Sequence, residues 1–144
     1  MKKRLIVMAA LVAAVAIPST AFGLEDLKIT DQGTTCTQTP DGLAVNCIGK
    51  YSGLGNNYGI VSITVSADYT CTNKAGNTVV GQSSGSSGPI TPQNGNVTFN
   101  VTTGSVSDQC NHADGHYATW TTATITIVDQ YGNVVFTRSY VVQQ

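Results

Sequence analysis

The chain has 144 residues, a formal net charge of −1 and only 10% charged residues, with Gly, Ser, Thr, Asn and Gln in their place. Soluble domains usually carry roughly a quarter charged residues, so the surface expected here is polar and nearly uncharged. Beyond the first four residues Lys and Arg are few and scattered, whereas nucleic acid and anionic membranes demand clusters of them, and the length suits one domain with its own core rather than two.

At the start, Lys2, Lys3 and Arg4 precede the apolar run Leu5 to Ile17 and the small-x-small triplet Ala21-Phe22-Gly23. That succession is a secretory signal. Residues 1–23 are therefore read as a leader, and residues 24–144 as a single exported domain, secreted or periplasmic. The apolar run is too short to remain as a bilayer anchor, so no membrane insertion is expected after cleavage. Removing it leaves Lys28, Lys50, Lys74 and Arg138 against eight acidic residues, a net charge of −4.

From Leu24 onward apolar residues alternate, the period of half-buried strands. Leu27 and Ile29 open a short first strand, and Thr34 to Gln38 with Leu43 to Tyr51 form a hairpin around Pro40-Asp41-Gly42. Gly59 to Asn77 contains the clearest amphipathic strand, with Val61, Ile63, Val65, Ala67, Tyr69 and Cys71 on one face and Ser62, Thr64, Ser66, Asp68 and Thr70 on the other. Asn73 to Asn77 and Asp129 to Asn133 each place an Asx first and a Gly fourth, the chemistry of a type I turn closed by a positive-φ residue. The tract Gly81 to Gly88, GQSSGSSG, is expected to be a mobile surface loop. Val97, Phe99 and Val101 alternate with polar residues in the next strand, and Gly104 to Tyr117 is irregular. Trp120 to Asp129 follows, where Trp120 and Ala123 can share a face only through a bulge near Thr121-Thr122. Val134 to Val142 closes the domain without a readable face, because Arg138 falls in register with Phe136 and Tyr140.

Four cysteines in an exported chain imply two disulfides. If Asp41-Gly42 is a two-residue turn, opposed residues have numbers that sum to 83, as Cys36 and Cys47 do. Directly opposed Cα atoms lie within bridging range. The expected pairs are Cys36 with Cys47 and, for the remaining two, Cys71 with Cys110. With eight or nine short strands and no helical period, the expected fold is an antiparallel two-layer β-sandwich of immunoglobulin-like topology, a closed barrel being the second choice.

Gly53-Leu54-Gly55-Asn56, Cys71-Thr72-Asn73 with Gly76-Asn77 and Gly81-Gln82, and Asn94-Gly95-Asn96-Val97-Thr98-Phe99 ahead of a lone later cysteine form a recognisable set. In these motifs the chain resembles a group of uncharacterised small secreted bacterial proteins common in actinobacteria. The resemblance spans most of the mature chain but consists of turn and core residues. It implies a disulfide-braced β-sandwich and supplies no catalytic residue.

The reactive side chains cluster in Asp108 to His116, where His112, Asp114 and His116 supply three possible zinc or copper ligands. Their spacing matches no known zinc motif, and solvated loop residues are the simpler reading. Serine is too abundant for a triad match to carry information, and no Gly-x-Ser-x-Gly elbow occurs. Tyr58, Tyr117 and Trp120 are candidates for a stacking platform, against which the only tryptophan of a small sandwich is usually core. The leading expectation is a non-catalytic binding, adhesion or surface-structural module needing no cofactor. Its expected partners are protein or carbohydrate at the cell surface, or further copies of itself through open sheet edges. A metal-binding protein or small metal-dependent enzyme using the histidine loop, and a secreted hydrolase inhibitor, are the alternatives.

Overall fold

The computed structural model describes residues 28–144; the expected leader and cleavage site, together with Leu27, lie outside the described residues. Eight strands form two antiparallel sheets: β1 (Thr30–Asp31), β2 (Thr35–Gln38), β3 (Val45–Ser52), β4 (Val61–Thr72), β5 (Thr78–Ile90), β6 (Val97–Thr102), β7 (Tyr117–Asp129) and β8 (Val134–Val141). In the first sheet β3 pairs with β1 and β2 on one side and with β6 on the other. The second sheet runs β5-β4-β7-β8. β1 and β2 are one interrupted strand, broken where Gly33 takes φ 78°. Their succession is therefore that of an immunoglobulin-like Greek key, in which the fourth strand stays beside the third. No helix among the described residues is long and apolar enough to cross a membrane.

The central strand behaves as its alternation demands. Every second residue of β4 from Val61 to Cys71 is buried, and the residues between them are half-buried on the outer face. The opposite layer contributes Val45, Cys47, Tyr51, Val97, Phe99 and Val101. Tyr51 stacks on Phe99 at 5.3 Å between ring centroids and meets Phe136 edge-on at 5.1 Å, geometries that suit the aromatic quadrupole.

Both disulfides form as expected. Cys36 opposes Cys47 in the ladder, with Cα atoms 4.1 Å apart. The register is the expected one, yet the turn is wider than two residues: Thr39 N donates to Ala44 O and Gly42 N to Thr39 O. A loop over Pro40, Asp41, Gly42 and Leu43 has the same centre as a two-residue turn, so the pairing sum is preserved. The two Asx turns are near copies. Asn73 Oδ1 accepts from Ala75 N and Asn77 N, and Asp129 Oδ1 from Tyr131 N and Asn133 N, while Gly76 and Gly132 both take φ 85°.

The bulge lies where Trp120 requires it. Ala67 pairs with Ala123 and Tyr69 with Trp120, so Thr121 and Thr122 together oppose Asp68. A second bulge resolves β8. Ile127 pairs with Phe136 but Val128 with Val134, which leaves Val135 extra and buried. Phe136, Arg138 and Tyr140 do share a register, and Arg138 remains exposed because β8 is the edge of its sheet.

One expectation is overturned. The GQSSGSSG tract is the middle of β5, a 13-residue strand paired along the length of β4. Its small side chains serve close packing rather than mobility. A Cβ on Gly85 would overlap the Thr102 carbonyl, and one on Gly81 would meet the Tyr69 ring. Ser84 O accepts from Gly104 N at 3.0 Å and Ser83 Oγ donates to Gly104 O at 2.6 Å. The strand is stripped of bulk because it closes the side of the sandwich.

Candidate functional site: the histidine loop and the opposite aromatic end

At one end of the sandwich three connections converge: the β2–β3 turn, the β4–β5 turn and the long β6–β7 segment. The last is pinned from inside. Val106 N donates to Leu43 O at 2.9 Å, Cys110 N to Val106 O at 2.7 Å, and both Val106 and the Cys71–Cys110 bridge are buried. The disulfide therefore ties the end of the central strand to the base of the loop.

Beyond Cys110 the chain makes one 3-10 turn, His112–Asp114. Gly115 N donates to His112 O at 3.0 Å, and Asn111 Nδ2 to Asp114 Oδ2 at 3.2 Å. His112 and Asp114 are exposed and His116 is half-buried. The Lys74 side chain lies across Gly115, which takes φ 80° and has no room for a Cβ. His112 also leans on the β2–β3 turn, its Cε1 3.5 Å from where a Gly42 Cβ would stand. There the Asp41 carboxyl is held below its usual range by the Thr39 hydroxyl at 2.6 Å, by Leu43 N at 3.0 Å and more weakly by the His112 charge. Among the described residues no group of three or more His, Cys, Asp or Glu is placed to hold a metal ion. The nearest arrangement in the loop is a hydrogen-bonded polar turn.

The three aromatic candidates are not assembled. Trp120 is 2% exposed, packs against Tyr69 at 5.2 Å and donates Nε1 to Gly42 O at 2.9 Å. It is a core residue that fastens the β2–β3 turn. Tyr117 is 55% exposed beside the histidine loop. Tyr58 lies at the other end, half-buried against the core, where burial first and then the Asp129 charge raise its pKa. Tyr117 and Asp129 are the two ends of β7, about 40 Å apart at ordinary strand rise.

That second end carries side chains the sequence did not single out. Tyr131, at the tip of the β7–β8 turn, is 79% exposed, and Ile60 and Val134 are exposed on the flanking segments. The signal was available: an aromatic inside an Asx-Gly turn has nothing to pack against. A further group holds the side of the sandwich. Tyr51 donates its hydroxyl to Tyr140 at 2.6 Å, and Tyr140 donates to Asp31 Oδ2 at 2.9 Å. Burial, then the Tyr140 bond, pushes the Tyr51 pKa up. At Asp31 burial acts upward too, but the Thr34 and Tyr140 hydrogen bonds and the Arg138 charge outweigh it and hold the carboxyl low. This chain links β1, β3 and β8 across the two sheets.

No protein-family model matches the chain, and no curated protein matches it.

Proposed function

We propose that the protein is a non-catalytic, exported module that binds at, or helps to build, an extracellular surface. The observation that carries this reading is where exposed apolar side chains sit on a sandwich braced by two disulfides. Tyr131, Ile60 and Val134 project from neighbouring segments at one end, and Val80 and Val141 from the two edges of one sheet. Such side chains on rigid elements favour recognition of a large partner, since an ordered anchor loses little entropy on binding. In the histidine loop His112 and Asp114 are exposed, and the Asp114 carboxylate accepts from the Asn111 side chain, which supports a structural turn there.

Binding of the purified protein to isolated envelope or matrix material of the cells that make it is the direct test. Binding is expected, with the bound fraction falling severalfold in Tyr131→Ala. Absence of binding would overturn the reading. So would turnover of any ester, peptide or glycoside in a substrate panel that disappears in His112→Ala.

A further inference from the structure

The two edges of the β5-β4-β7-β8 sheet are treated differently. β8 is guarded by its bulge at Val135, by Arg138 at the edge on the inner register, by the Tyr140 to Asp31 bond, and by the residues after it. Val142 N donates to Thr121 O, Gln143 N to Cys36 O, and Gln143 O accepts from Gln38 N, so the C-terminal residues turn onto β2. These are the devices by which sheet proteins prevent edge-to-edge pairing.

β5 has none of them along its first half. In its antiparallel pairing with β4, successive residues point their backbone groups alternately toward β4 and away from it. Ser84 O accepts from Gly104 N, on the side away from β4, which places the outward groups on Thr78, Val80, Gln82, Ser84 and Ser86. Gly104 covers the edge at Ser84, and the strand ends beyond it at a bulge and Pro89. Among the described residues nothing donates to or accepts from the outward backbone of Thr78, Val80 and Gln82. Val80 is 78% exposed at the centre of this free stretch.

We propose that β5 is a self-pairing edge, and that two copies of this chain associate through it about a two-fold axis at Val80. An antiparallel pair centred there sets Val80 opposite Val80 of the second copy and Thr78 opposite Gln82. The outward N–H and C=O groups of those three residues on each chain then satisfy one another in six hydrogen bonds, and two four-stranded sheets become one of eight strands. The second copy is the favoured occupant because the pairing is self-complementary. β5 contains no charged residue, so a two-fold axis brings no like charges together, and it sets the exposed β-branched Val80 against its own copy. A single edge buries less than a standard interface, so the dimer is weak and concentration-dependent. The end that carries Tyr131 stays free in it, because that end lies beyond Pro89 while the pairing stops at Gln82.

Sedimentation equilibrium of the purified protein, over a series reaching the millimolar range, should show an average mass rising toward twice the monomer. Over the same series the Thr78, Val80 and Gln82 amides should gain protection from hydrogen exchange, whereas Val79 and Gly81, already bonded to β4, should not change. Val80→Pro removes one outward N–H without touching the β4 ladder, and Val80→Lys opposes two like charges at the axis. Each should abolish the mass increase while retaining the wild-type circular dichroism and both disulfides. Val141→Lys, on the guarded edge, should leave it intact. A monomer at every concentration, a dimer indifferent to both Val80 variants, or protection gained elsewhere on the chain would overturn the proposal.

Discussion

Asp31 shows how much a single side chain can do at the seam between two sheets. Its Oδ1 accepts from Thr34 N at 3.0 Å and its Oδ2 from Tyr140, whose hydroxyl in turn accepts from buried Tyr51. Because its folded pKa is depressed, it contributes stability that is present above the unfolded value and lost as pH falls through the folded one. Asp41 and Asp129, also depressed, act in the same direction. Asp31→Asn is therefore expected to cost about 1 kcal/mol at neutral pH, allowing for its partial exposure. The variant should also lose less stability than the wild type on acidification below about pH 4. Urea titrations across pH check both. None of this was legible beforehand: Asp31, Tyr51 and Tyr140 are far apart in the chain, and no local pattern announces that three hydroxyl and carboxyl groups will meet.

Strands divide by how much of their role is local. β4 was readable because burial on one face and solvent on the other impose a period of two on its residues. The Asx turns were readable because the first side chain bonds backbone within its own turn, with no help from the rest of the fold. β5 was misread for the opposite reason. Its Gly and Ser residues look like a mobile surface loop by composition, yet they are small because β6 and Gly104 approach the strand closely. Paired substitutions test that account. Gly85→Val should destabilise by about 3 kcal/mol through overlap with Thr102, as overpacking does. Ser86→Val, on the exposed face of the same strand, should change stability by less than about 0.5 kcal/mol. Thermal unfolding of the two variants distinguishes a packed strand from a flexible tract. β8 stood between these cases: its faces became assignable only with the extra residue Val135, which pairing with β7 creates.

Across the whole molecule, the two bridges divide the work. Cys36–Cys47 joins strands already paired over a separation of 11 residues, whereas Cys71–Cys110 joins the central strand to the long connection over 39. On the chain-entropy model the bridges contribute about 3 and about 4 kcal/mol. Cys71→Ser with Cys110→Ser should therefore lower the unfolding midpoint in denaturant more than Cys36→Ser with Cys47→Ser. It should also raise hydrogen exchange at the backbone amides of residues 106 and 110, since the loop would keep only its backbone anchors. The sequence by itself determined the all-β class, the strand faces of β4 and β6, the Trp120 bulge and both disulfide pairs, because each follows from local period, turn chemistry or the short reach of a disulfide. Only the tertiary structure decided that Trp120 fastens the β2–β3 turn through Gly42 O, that Tyr58 and Tyr117 belong to opposite ends, and that one sheet edge is guarded while the other is open. Those depend on which strands become neighbours and which edges remain without one. That choice is made by packing two layers together, and no stretch of the chain carries it alone.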